Sequence, residues 1–250
     1  MIIRDILIYF AIKYRGDWNK IYQAIKNKER VDEEEIKHNL ELLKCQTLTI
    51  IDKEYPLNLK NCFHPPFVIF YYGDISLLNM NIVSIVGSRE CNDYAIESTK
   101  KIISDLKDTK IVICSGLAKG IDKIAHQEAL KNQIKTIAVS PVGIDLCYPK
   151  ENYSLYKDIK NQGLIISEYP FLTKIDKKHF ASRNRIIASL CYSMICTSVK
   201  ARSGTLVSVK FAIEYGKDLF VLPYPIDQDN LCNTLIKDGA YLIDNGKDLL

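Results

Sequence analysis

Several features that would assign this sequence quickly are missing. Its eight cysteines, spread from Cys45 to Cys232, contain no CxxC pair, and its four histidines form neither HxxxH nor a Cys/His cluster. That spacing argues against a zinc site, and no metal is expected. Several cysteines sit inside apolar, strand-like runs, where a reduced thiol behaves as a small hydrophobe, so a reducing, cytoplasmic compartment is expected. The apolar start MIIRDILIYF is broken by Arg4 and Asp5, lacks a small-residue cleavage site and is too short to span a bilayer. Neither export nor a membrane partner is expected.

Charge of one sign is also scarce. The chain has 34 basic and 30 acidic side chains, a net +4 over 250 residues. That excess is too small to argue for nucleic-acid binding from composition, so each arginine has to be judged by its position. The length allows one sizeable core and a small accessory domain, not two large domains.

What is present is a rhythm. Residues 2–27 read as two short amphipathic helices around Arg15, Gly16 and Asp17, and VDEEEIKHNLELLK supplies a third, with acidic residues at the end where the helix dipole favours them. From Asn81 onward, NIVSIVG, KIVICSG, IKTIAVSPVG, GLIISE, YSMICTSV and DLFVLP are short apolar runs, most of them followed by helical patterns. Such continuous runs imply strands buried on both faces. The expected fold is therefore α/β, an extended Rossmann-like, mainly parallel sheet with a small N-terminal helical domain. The expected division is a helical domain over 1–50, a strand-rich connecting segment over 51–80 packed on the large domain, and the large domain over 81–250.

In parallel sheets of this kind ligands bind at the carboxyl ends of the strands. Three turns fall there. Gly87, Ser88 and Arg89 follow the first apolar run. Ser115, Gly116, Lys119 and Gly120 belong to SGLAKGID, whose glycines let the backbone approach a ligand and aim N–H groups from the next helix start. Ser203, Gly204 and Thr205, in the basic turn KARSGT, can cradle a phosphate with backbone donors and hydroxyls. Tight turns need glycine in any case, which is the plainer reading of each loop. Neither GxGxxG nor GxxxxGK[ST] is present, so dinucleotide and Walker A sites are not supported, and no cofactor is expected.

The stretch HFASRNRIIASL places Phe180, Ile186, Ile187 and Leu190 on an apolar helical face, with Arg183 and Arg185 in what reads as the first turn. Arginine is disfavoured by the dipole at a helix start, so the pair needs either an external anion or an internal carboxylate, for which Glu168 is the obvious choice. Asp122 and His126, four apart, are close enough to interact. No GxSxG elbow accompanies them, and no general acid and base pair stands out among Asp145, Glu168 and Asp227.

Taken in order, DKEYPLNLK, Gly87-Ser88-Arg89, SGLAKGID, Ser167-Glu168-Tyr169-Pro170, Arg183-Asn184-Arg185-Ile186-Ile187, Ser203-Gly204-Thr205-Leu206 and Pro225-Ile226-Asp227 resemble the DNA-processing protein A family, also called Smf. The motifs are weak singly and cover about four-fifths of the chain together. The resemblance implies a non-enzymatic protein that binds single-stranded DNA without sequence preference and loads the RecA recombinase in natural transformation or recombination. It implies a homodimer formed through the large domain, loosely placed after Phe211. It puts Ser88 and Arg89 in a phosphate pocket beside the Gly116–Gly120 backbone, with Lys177 or Lys178, Phe180 and Arg183 in a basic and aromatic region. There Phe180 either stacks on a base or anchors the core. The segment FLTKIDKKHFAS carries lysine where the family is richer in proline and arginine, and Pro223-Tyr224 lacks the family's glycine. The N-terminal domain is shorter than is common, and the winged-helix extension of some members does not occur in the sequence.

Two other classes compete. The cytokinin-releasing nucleotide phosphoribohydrolases look related in fold, but their PGGxGTxxE loop has its catalytic glutamate where Ser208 stands here. A protein-interaction scaffold without DNA binding is the other alternative.

Overall fold

The computed structural model describes residues 3–201, 203–228 and 231–249. Arg202, part of the predicted basic turn, lies outside the described residues. Helices α1 (Ile3–Lys13), α2 (Trp18–Lys26) and α3 (Glu33–Glu41) form the N-terminal unit. Asp17 caps α2 by accepting from the Lys20 N–H at 3.1 Å, and Asp32 caps α3 by accepting from Glu34 N–H at 2.7 Å. Such caps satisfy N–H groups that have no partner within the helix.

Strand β1 (Gln46–Thr49), helix α4 (Leu57–Lys60) and strand β2 (Val68–Gly73) follow. The remainder alternates: β3 (Asn81–Val86), α5 (Asp93–Ser104), β4 (Ile111–Ser115), α6 (Ile121–Lys131), β5 (Thr136–Val139), α7 (Tyr153–Gln162), β6 (Leu164–Ser167), α8 (Lys177–Leu190), β7 (Ser193–Cys196), α9 (Gly204–Glu214), β8 (Asp218–Val221), α10 (Cys232–Lys237) and β9 (Tyr241–Leu242). Among the described residues, the nine strands make one sheet in the order β1-β2-β6-β5-β4-β3-β7-β8-β9. From β6 across to β9 every pairing is parallel, while β1 and β2 join antiparallel, Phe70 lying opposite Ser167. The sheet therefore starts well before Asn81. The expected α/β class is observed, and β4, β5, β6 and β7 are buried along their whole lengths, as the continuous apolar runs required.

Two parts of the sheet carry different helices. α5, α6 and α7 pack side by side, whereas α8 packs on α9. Strand order grows outward from β3 in one direction through β4, β5 and β6 and in the other through β7 and β8, so the chain reverses beside β3. Such a reversal opens a crevice at the carboxyl ends of the central strands.

The N-terminal unit shares a core with the sheet. Leu7, Ile8, Phe10, Ile21 and Ile36 pack in one cluster with Phe70, Ala138, Ile159 and Ile165. Its turn at Gly16, with φ +74°, lies so near the main chain of Glu168 that a Cβ there would meet the Glu168 carbonyl oxygen at 2.5 Å. Trp18 stacks on His64 at 3.9 Å and donates its Nε1–H to Pro65 O at 2.9 Å, tying α2 to the segment before β2.

Candidate functional site

The three predicted turns meet at the reversal. Gly87, Ser88 and Arg89 after β3, Ala118 after β4, and Ser203, Gly204 and Thr205 at the start of α9 line one pocket of about 440 Å³. The fourth wall is one face of α8. Helix α8 begins at Lys177, capped by Asp176, so Arg183 and Arg185 are not in its first turn as the sequence reading held. Residues Phe180, Arg183, Asn184 and Ile187 recur at helical spacing and all face the pocket.

Two residues apart on a helix means about 200° around its axis, so the two arginines cannot share that face. Arg185 turns away from the pocket. Its Nη2 donates to Glu168 Oε2 at 2.6 Å, both side chains are at most 5% exposed, and Nη1 reaches Glu168 Oε1 and the Ser182 carbonyl. This is the internal carboxylate partner the sequence offered. Arg183 is also buried, but its Nη1 donates to the Val139 carbonyl at 2.9 Å and its Nε has no partner among the described residues. Burial pulls its guanidinium below the usual arginine range, with the nearby Asp122 carboxylate opposing.

The glycines turn out to serve different masters. A Cβ on Gly116 would overlap the Arg183 guanidinium, so this glycine makes room for a side chain of the protein. Gly120, with φ +71°, lies against the carbonyls of Ser88 and Arg89, and Ile121 N–H donates to Ser88 O at 3.2 Å. Gly87 in turn lies against the Ile121 side chain. The SGLAKGID loop thus closes on the GSR loop. Its Ala118 N–H goes to Asp122 Oδ2 at 3.4 Å, and Ser115 Oγ is buried and donates to Ile85 O at 2.7 Å. Gly120 and Ser115 therefore shape the site from behind, while Gly116 lines a smaller pocket beside Arg183. Ser88 Oγ donates to Glu90 O and accepts from Glu90 N–H, which fixes the turn that carries Arg89.

Helix α9 begins differently. Neither α6 nor α9 has a side-chain bond at its N-cap, but among the described residues Gly204 has nothing within 4 Å of a would-be Cβ and Ser203 Oγ has no partner. An open helix start of this kind offers backbone donors and positive dipole to an anion. Asn184 Nδ2 donates to Gly204 O at 3.1 Å and fastens that start to α8. The sequence reading passed over Asn184, although it lies between the two arginines and one turn beyond Phe180.

Arg89 stands at the mouth, exposed, with its guanidinium carbon 5.4 Å from the centre of the Phe180 ring, and it makes no ion pair among the described residues. Phe180 is half-buried and meets Tyr148 edge to face at 5.5 Å. It is a wall residue, and it separates the main pocket from a second of about 100 Å³ lined by Lys119, Pro141, Tyr148 and Pro149. Lys177 lines the main pocket; Lys178 is exposed outside it. Asp122 lies in the pocket wall with burial raising its carboxyl above the ordinary range. Its sequence neighbour His126 is sealed in: Nδ1 pairs with Thr136 Oγ1 at 2.7 Å, and burial, helped by the Arg183 charge, pulls the imidazole down to about 3. A neutral, sealed imidazole cannot exchange protons with a ligand in the pocket. Among the described residues, no group of histidine, cysteine and acidic side chains is placed to hold a metal ion.

A doubly wound sheet with two arginines and an aromatic wall in the crevice at its reversal defines a Rossmann-like protein with a basic pocket at the carboxyl edge of the sheet. Residues 46–250 match the family described as DNA recombination-mediator protein A, and the chain belongs to that family. It is 43% identical over 213 residues to DNA processing protein DprA of Streptococcus pneumoniae, covering 84% of this chain and 75% of that protein. The X-ray structure of the pneumococcal protein superposes with a TM-score of 0.83 at 35% identity, covering 98% of this chain and 92% of that one. DNA processing protein A from Helicobacter pylori, whose structure concerns its single-stranded DNA binding mode, has a TM-score of 0.74 at 33% identity and covers 83% of this chain and 94% of that one. The chain spans about half, 53%, of the Synechocystis relative named Protein Smf.

Proposed function

We propose that the chain binds single-stranded DNA at this pocket, without reading base sequence, and passes the strand to the RecA recombinase in natural transformation or recombination. The observation that carries the DNA part is the position of Arg89: an exposed, unbridged guanidinium over the Phe180 ring, facing the open start of α9. A cation and free backbone donors suit a phosphate, and the ring suits an unstacked base, which only a single strand presents freely. The proposed contacts are Arg89, Lys177, Phe180, Arg183 and the Ser203–Thr205 turn, with Lys119 at the edge. That the Helicobacter pylori relative binds single-stranded DNA supports the choice of ligand.

The RecA role rests on family membership. A homodimer is part of the proposal, supported by the exposed Tyr241 and Leu242 on the edge strand β9 and the exposed Ile213 on α9. We further assign 1–50 to a helical domain, 51–80 to a connecting segment and 81–250 to DNA binding. All eight cysteines are free thiols, which fits a cytoplasmic setting, and no helix among the described residues is long and apolar enough to cross a membrane. The protein is read as a binder and not an enzyme because Ser208 stands in the pocket wall at the position where the related hydrolases place their glutamate.

Fluorescence anisotropy with labelled oligonucleotides tests this. Single strands should bind more tightly than duplex, and affinity should fall with salt. Arg89→Glu should weaken binding by about tenfold to a hundredfold, the scale of a charged hydrogen bond. Phe180→Ala should reduce the preference for single strands. Equal binding of both forms, or an unaffected Arg89→Glu variant, sinks the reading, and base released from nucleoside monophosphates would favour the hydrolase instead.

A further inference from the structure

The main pocket continues at both ends. It shares Arg89, Phe180 and Arg183 with the small pocket that reaches Lys119, and it shares Glu90 and Lys200 with a third pocket of about 420 Å³ beside Asn92 and Tyr224. The cations along this groove are not equivalent. At one end Lys119 Nζ lies 3.1 Å from Glu151 Oε1, and at the other Lys200 Nζ lies 3.4 Å from Glu90 Oε2. In each pair the glutamate comes from another loop than its lysine. Between them, Arg89 and Lys177 have no carboxylate within bridging distance among the described residues. Glu151 is further held in its charged form by its own backbone hydrogen bond and then by Lys119.

Resting on the single-stranded DNA reading, we infer that Glu90 and Glu151 are built-in counterions that occupy the two end lysines of the groove until a DNA phosphate displaces them. All four side chains are more than half exposed, so each pair is weak and water can separate it. A phosphate that reaches Lys200 or Lys119 exchanges one anionic partner for another and leaves a carboxylate close to the strand. Such an exchange contributes less than a contact to a free cation. The central cations therefore capture any strand, and each end lysine engages only a strand long enough to bring a phosphate against its glutamate.

The consequence is separable from simple charge removal. Glu90→Gln should tighten binding of a long oligothymidylate by about two- to fivefold, the scale expected for an exposed pair, with a smaller effect on a short one. In a Lys200→Ala background the same substitution should lose most of that gain. Glu151→Gln should behave likewise with Lys119→Ala. Both glutamates are exposed, so thermal unfolding of the variants should match wild type. A gain of equal size with and without the lysine would mean that the glutamate acts only through its field, and would overturn the inference. So would wild-type binding that neither Gln variant alters. If wild type fails to bind any single strand while remaining folded, the DNA reading falls and takes this one with it.

Discussion

Helices α6 and α9 both begin in a glycine-bearing turn at the carboxyl edge of the sheet, yet their starts have opposite fates. The first is closed on by the protein: Ser88 O takes the Ile121 N–H, Asp122 takes Ala118 N–H, and the Arg183 guanidinium fills the space beside Gly116. At the second, a Cβ on Gly204 would meet nothing within 4 Å among the described residues, and the Ser203 hydroxyl has no partner there. A glycine-rich loop followed by a helix is thus two different objects. One packs a second loop into position; the other leaves donors for a ligand. The difference lies in what approaches the missing Cβ.

Replacing each glycine by alanine tests that comparison. Gly120→Ala should have the largest effect. It combines a left-handed φ of +71° with collision against the Ser88 carbonyl, and a loss of about 2–4 kcal/mol in urea unfolding is expected. Near-normal stability would mean that the α6 start is not sealed.

Gly116→Ala should cost about 1–3 kcal/mol as overpacking, because the new methyl and the Arg183 guanidinium compete for one space. If the guanidinium yields, oligonucleotide affinity should fall with it. A variant that loses stability but keeps full affinity would separate Arg183 from the ligand.

The sealed side should also show in acid. His126, held neutral at about 3 against an ordinary 6.5, binds a proton more readily in the unfolded chain than in the folded one. Its stabilising contribution is complete above pH 6.5 and is lost as pH falls from there toward 3. The slope should approach about 1.4 kcal/mol per pH unit. Urea midpoints between pH 7 and pH 5 should flatten in His126→Gln; an unchanged slope would assign the acid sensitivity elsewhere.

Gly204→Ala should be mildest for the fold. Among the described residues nothing lies within 4 Å of the new methyl, and alanine favours a helix over glycine, so stability should hold or rise by up to about 1 kcal/mol. The same methyl narrows the open start of α9, and single-stranded DNA affinity should drop by a few fold, on the order of one weakened hydrogen bond. A stability loss here would make the two helix starts alike.

Much of this molecule was written in local pattern. The apolar runs from β3 to β8 are continuous because both faces are covered, so sequence alone gave away a parallel sheet, and ligand sites in such sheets fall at the strand ends. Helical spacing was read less well: the apolar face was seen as Phe180, Ile186, Ile187 and Leu190 with both arginines in the first turn, whereas the helix starts at Lys177 and it is Phe180, Arg183, Asn184 and Ile187 that share the pocket face. That β1 and β2 extend the same sheet was harder to see, since antiparallel addition beside β6 joins residues nearly a hundred apart in the chain, Phe70 to Ser167.

The chain by itself determined the alternating fold, the three turns at one edge and the family. Tertiary structure alone decided which arginine keeps Glu168 as partner, which glycine faces open space and which admits Arg183, and which lysines meet a glutamate across the groove. Those outcomes depend on distances between loops that are far apart in sequence. Composition and periodicity report how a residue meets its neighbours along the chain, whereas a charge or a missing methyl acts on whatever the fold brings within a few ångströms.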